Sequence, residues 1–168
     1  AVMVDANNIL KSGFSIDETI SLLFQPKEYS RVDIVRIATH FNTIEQTSKI
    51  AKAINNLGYK VVLNLMQANS EPDNVLLETA KLVESWDTIE VLYFADSLGS
   101  LRVKQVEKIA NSIKRKWNGD IGFHAHNNCN AALENTIAAY KSGCSWIDAT
   151  VNGMGRGAGN TSTEMLLI

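Results

Sequence analysis

Cysteine is scarce in this chain: Cys129 and Cys144 are the two present among 168 residues. That argues against a disulfide-stapled scaffold and suggests reduced thiols in a cytoplasmic setting. A surplus of positive charge is also missing. Sixteen Lys and Arg against 18 Asp and Glu leave a net charge of −2, which gives no footprint for nucleic acid or an anionic membrane surface. The longest basic cluster, Lys114-Arg115-Lys116, suits the last turn of a helix, where cations complement the dipole. No apolar run approaches the ~18 residues that would span a bilayer, and no signal-peptide pattern is visible. No linker or low-complexity stretch interrupts the chain, so residues 1–168 read as a single domain. The opening at Ala1 falls within a strand pattern without an initiator Met, and a trimmed or truncated start is expected.

What is present is rhythm. Six short runs are rich in Val and Ile: Ala1–Val4, Val32–Ile37, Lys60–Leu65, Ile89–Phe94, Ile121–Phe123 and Trp146–Val151. They read as buried parallel strands. Helical patterns fill the intervals. Ile16–Leu23 has Ser15 as cap, and Ile44–Leu57 has Thr43 or Asn42 as cap and Gly58 as stop. Asn74–Trp86 follows Pro72, Val103–Trp117 ends at Asn118-Gly119, and Ala131–Lys141 closes at Gly143.

This alternation predicts an α/β fold with a parallel sheet. An open doubly wound sheet would carry a glycine-rich phosphate turn after its first strand, and Val4-Asp5-Ala6-Asn7-Asn8 is not one. A (β/α)8 TIM barrel instead places its chemistry at the C-terminal ends of its strands. Asp5, Thr39, His40, Asn64, Asp96, Ser97, His124, His126 and Asn152 cluster at those ends. A full barrel takes about 250 residues, so the expectation is a partial TIM barrel of six βα units. The first and last strands would then be bare edges, covered by the rest of a longer protein or by self-association.

Gly122-Phe123-His124-Ala125-His126-Asn127-Asn128 carries the sharpest chemical signal. Side chains at i and i+2 of a strand share a face. Two imidazoles ~6–7 Å apart along that face can close on one divalent ion; the competing reading is a pair of packed or surface histidines. Gly153-Met154-Gly155-Arg156-Gly157-Ala158-Gly159-Asn160 is a glycine-rich turn after another strand. Asn160 there could ligate the ion or cap the helix that follows. Asp96 could accept from an imidazole and orient it, or merely form a turn. Arg156 could pair with a substrate carboxylate, or be solvated. His40, Cys129 and Cys144 read as packing residues.

Phe94-Ala95-Asp96-Ser97-Leu98-Gly99, the His-x-His strand, Asn135, Gly143-Cys144, Ile147-Asp148 and the glycine loop with Glu164 together resemble the metal-dependent aldolase and acyltransferase barrels, the HMG-CoA lyase-like superfamily. The resemblance runs from Ala1, as the third barrel strand, to Ile168 in the eighth unit, and the loop is most similar to the 4-hydroxy-2-oxovalerate aldolase branch. Hydroxymethylglutaryl-CoA lyases carry a catalytic Cys in this loop, which is absent here. The resemblance implies metal ligands at His124, His126 and Asn160, with a further Asp on the superfamily's first strand that has no counterpart in this chain.

It implies a lyase that cleaves a 4-hydroxy-2-oxo acid to pyruvate and an aldehyde, using Mn²⁺ or Mg²⁺ in preference to Zn²⁺. Ser97 and Arg156 would hold the substrate carboxylate, and the general base is not identified. A homo-oligomer, working with a partner dehydrogenase for the aldehyde, is expected. Two other readings stay open: a Claisen condensation of an acyl-CoA with a 2-oxo acid, and a non-catalytic barrel fragment.

Overall fold

The computed structural model describes all residues from Ala1 to Ile168. Six parallel strands form one sheet in sequential order: β1 (Val2–Asp5), β2 (Ile34–Thr39), β3 (Lys60–Leu65), β4 (Ile89–Asp96), β5 (Asp120–Ala125) and β6 (Trp146–Ile147). Seven helices connect and follow them: α1 (Ala6–Leu10), α2 (Ile16–Leu23), α3 (Ile44–Asn56), α4 (Asp73–Glu84), α5 (Val103–Lys114), α6 (Ala132–Lys141) and α7 (Thr163–Leu166). This is the α/β partial barrel expected. No helix is long and apolar enough to cross a membrane.

Strand alternation divides the side chains. Val35, Ile37, Val61, Leu63, Leu65, Leu92, Phe94, Ile121 and Phe123 face the helices and join Ile50, Ile54, Leu76, Val83, Val106, Ile109 and Ile113 in one core. Phe94 and Phe123, opposite each other in the register, tilt together at 4.8 Å between ring centroids, an arrangement that adds to their area burial. The other face holds only a small apolar cluster of Val62, Val91 and Tyr93. The same face carries Arg36 on β2, Asn64 two residues beyond Val62 on β3, and His124 two residues beyond Gly122 on β5, with His126 two further on.

That face is strongly curved. β2 and β6 are separated by three strands, which in a flat sheet is about 19 Å. Yet Arg36 on β2 makes two hydrogen bonds, of 2.5 and 3.1 Å, to Asp148 just beyond β6. A single arginine side chain closes that gap only because the sheet wraps toward a barrel.

Local signals place the helices. Ser15 and Glu18 form the capping box of α2: the Glu18 N–H donates to Ser15 Oγ, and the Ser15 N–H donates to Glu18 Oε2. Thr43 does not cap α3; its hydroxyl donates to the His40 carbonyl instead. α1 lies outside the apolar periodicity and starts because Asp5 accepts the Asn8 N–H. The strand expected over Trp146–Val151 stops at Ile147. β6 has one neighbour, and Thr150 turns away to exchange backbone hydrogen bonds with Thr161 and Thr163.

Gly122 is required by packing. A Cβ there would lie 2.3 Å from the Tyr93 ring, its cross-strand neighbour. Gly122→Ala should cost about 1–3 kcal/mol as the ring is displaced, read as a lower urea midpoint. Adding Tyr93→Leu should recover part of the loss.

Candidate metal centre

The two histidines emerge on the same side of β5, with ring centroids 5.1 Å apart and planes at 78°. Their environments differ. His124 Nδ1 lies 2.8 Å from Asp148 Oδ2, which leaves Nε2 as the nitrogen available to a ligand. His126 is partly buried, and burial, then the nearby positive charges of His124 and Arg156, lower its pKa and favour the neutral ring. A neutral ring is the form that ligates a metal.

The glycine loop is folded back on the strand that carries them. His126 and Asn160 pair as an antiparallel bridge, the Asn127 N–H donates to the Gly159 carbonyl, and the Asn160 N–H donates to the Gly153 carbonyl. Gly159 adopts φ +86°, and a Cβ there would lie 2.1 Å from the Gly153 oxygen, so only glycine fits. The fold-back brings Asn160 beside His126. Its Nδ2 donates to the Met154 carbonyl at 3.3 Å, while its Oδ1 is buried with no partner. A buried acceptor without a donor is costly, and an adjacent cation would satisfy it. Ser162, not Asn160, caps α7. No three His, Cys, Asp or Glu side chains form a ligand set. Two imidazole nitrogens and one amide oxygen therefore fit a divalent ion as part of its shell, with positions left for other ligands.

Asp96 does not take the role of orienting an imidazole. It is fully buried, and its two oxygens accept the N–H groups of Ser100 and Leu101 at 3.0 Å each; the carboxylate organises the turn after β4. The imidazole partner is Asp148. Ser97 Oγ accepts the Gln67 N–H at 3.0 Å, so its own proton is free to donate. Arg156 is exposed on the glycine loop, near enough for its charge to act on His126. Cys129 is exposed in the loop before α6 and so is not a packing residue, whereas Cys144 is buried, which raises its thiol to about 12.

Sequence reasoning left out the inner-face network. Asp148 accepts from His124, from two nitrogens of Arg36, and from Tyr93 Oη at 3.2 Å. The Arg36 guanidinium lies 3.9 Å over the Tyr93 ring. Burial opposes the Asp148 charge, but the hydrogen bonds from His124 and Arg36 outweigh it and hold the carboxyl well below the usual range. Asn64, opposite Tyr93 in the register, also keeps a buried Oδ1 without a partner. The i, i+2 spacing of Arg36 and Ala38 on β2, and of Asn64 and Val62 on β3, was available as a signal; nothing in it marked which polar residues meet.

The stability that the Asp148 charge contributes is present above the unfolded-state pKa of about 4 and is lost as pH falls through the lower folded value. The stability gap between the unaltered chain and Asp148→Asn should therefore narrow below about pH 4, measured by denaturant unfolding at a series of pH values.

The HMGL-like family model matches residues 31–168. A 4-hydroxy-2-oxovalerate aldolase of Bacillus thuringiensis is 39% identical over 134 residues, covering 80% of this chain and 39% of that protein. One from Carboxydothermus hydrogenoformans is 39% identical over 137 residues, covering 80% of this chain and 40% of that protein. The HMG-CoA lyase of Bacillus subtilis superposes with a TM-score of 0.77 at 13% identity, over 99% of this chain and 60% of that one; it shares the fold. The chain spans about two fifths of the length of the curated relatives it matches. With the family model matched over most of its length and its glycine loop closed on a His-x-His strand, the chain belongs to the HMGL-like family.

Proposed function

We propose that this chain supplies the metal-binding strand and loop of an aldolase that cleaves a 4-hydroxy-2-oxo acid to pyruvate and an aldehyde. The observation that carries it is the orphaned Asn160 Oδ1, held by the glycine loop beside two imidazoles on one strand face. His124 through Nε2, His126 and Asn160 through Oδ1 would hold the ion. The mixed nitrogen and oxygen set with open positions suits Mn²⁺, or Mg²⁺ where waters complete the shell. When bound, such an ion supplies Lewis acidity for the negative charge that develops on the 2-oxo acid.

The chain's own residues prepare that chemistry. The neutral state favoured at His126 keeps a lone pair available at neutral pH. Ser97 keeps its hydroxyl proton for a carboxylate oxygen, because its lone pair already receives the Gln67 N–H. Arg156, exposed on the loop and close enough for its charge to act on His126, would be a second carboxylate partner with a planar fork of donors. The relatives' name supports this choice of reaction over condensation of an acyl-CoA.

Losing a ligand removes several kcal/mol of charge stabilisation, so His124→Ala or His126→Ala should lower Mn²⁺-dependent pyruvate release by about 10³-fold. Circular dichroism checks that the fold is kept. Unchanged activity in either variant would overturn the metal role.

A further inference from the structure

The inner-face carboxylate does more than balance Arg36. Neutral imidazole has one protonated nitrogen, and a carboxylate only accepts. With Asp148 Oδ2 2.8 Å from His124 Nδ1, the proton sits on Nδ1 and the lone pair on Nε2. The carboxylate is itself held from three sides. Arg36 donates to both oxygens, at 2.5 and 3.1 Å, and Tyr93 Oη lies 3.2 Å from Oδ1. Arg36 is kept in line by lying over the Tyr93 ring, and that ring reaches across because residue 122 has no side chain.

We propose that Asp148, clamped by Arg36 and Tyr93, is the positioning residue of His124: it imposes the Nδ1–H tautomer and presents Nε2 to the divalent ion. This rests on the metal reading above. Its chemical consequence is specific. In Asp148→Ala no acceptor faces Nδ1, whereas an Asn oxygen at the Oδ2 position would still accept from both Arg36 and His124. With the acceptor gone nothing holds the proton on Nδ1, the Nε2–H tautomer becomes accessible, and in that form the ligating lone pair is lost.

The test is nitrogen NMR on the ¹⁵N-labelled full chain without metal, followed by Mn²⁺ titration monitored by electron paramagnetic resonance. There are only three histidines, so single variants assign them. The unaltered chain should show His124 as Nδ1–H, and Asp148→Ala should show it shifted toward Nε2–H with Mn²⁺ affinity about 10–100-fold weaker. Arg36→Lys keeps the charge but loses the fork; it should give a mixture of tautomers and a several-fold weaker affinity. That variant also decides the matter should Asp148→Ala fail to fold. The proposal is overturned if His124 stays wholly Nδ1–H in Asp148→Ala, if the tautomer shifts with no loss of affinity, or if Arg36→Lys changes neither. Failure of the unaltered chain to bind Mn²⁺ overturns the metal reading, while the tautomer comparison still tests what Asp148 does to the ring.

Discussion

The ion pair between Arg36 and Asp148 closes the inner face of the sheet. It joins strands that are far apart in the sheet order and 112 residues apart in the chain. Both partners are mostly withdrawn from water, with side-chain exposures of 19% and 25%. Such a pair is a weak source of net stability, because desolvating two charges offsets their attraction. Its value lies in specificity. Removing one partner would strand the other charge, so the wrapped arrangement of β2, β4 and the end of β6 is strongly preferred over a flatter one. His124 enters the same network through Nδ1, and one carboxylate thereby links the curved sheet to the chemistry of the site.

The glycine loop provides the second constraint. Its backbone is tied at Gly153, Gly159 and Asn160, and it is anchored to β5 through Asn127. A flexible loop would let the Asn160 amide turn and satisfy both of its ends. Held as it is, the amide donates through Nδ2 to Met154 and leaves Oδ1 buried and unpaired. Structures tolerate such orphans where a ligand completes them. Closely approaching backbone atoms, not mobility, account for Gly159.

Much of the architecture was legible from the residues. The β3 strand, the α2 helix and its Ser15 cap lie where the pattern put them, since apolar periodicity and capping chemistry are local. The departures also have local causes. α1 rests on one Asp5 cap with no apolar stripe to announce it. β6 ends early because Thr150 finds backbone partners in the segment beyond the loop. At the centre, the shared face of His124 and His126 followed from the two-residue period of a strand. Asp96 could be read either as the partner of an imidazole or as a turn residue, and its oxygens accept from Ser100 and Leu101, as the turn reading has it.

The sequence alone determined the alternation of strands and helices, the pairing of two imidazoles on one face, and a glycine-rich turn before Asn160, because each follows from neighbours within a few residues. Only the tertiary structure decided which acid holds which histidine. Arg36, Tyr93, His124 and Asp148 lie on four different segments, and nothing within any one of them reveals that the others are near. Their meeting depends on how far the sheet curls, and that is set by the packing of the whole core against the helices rather than by any short run of residues.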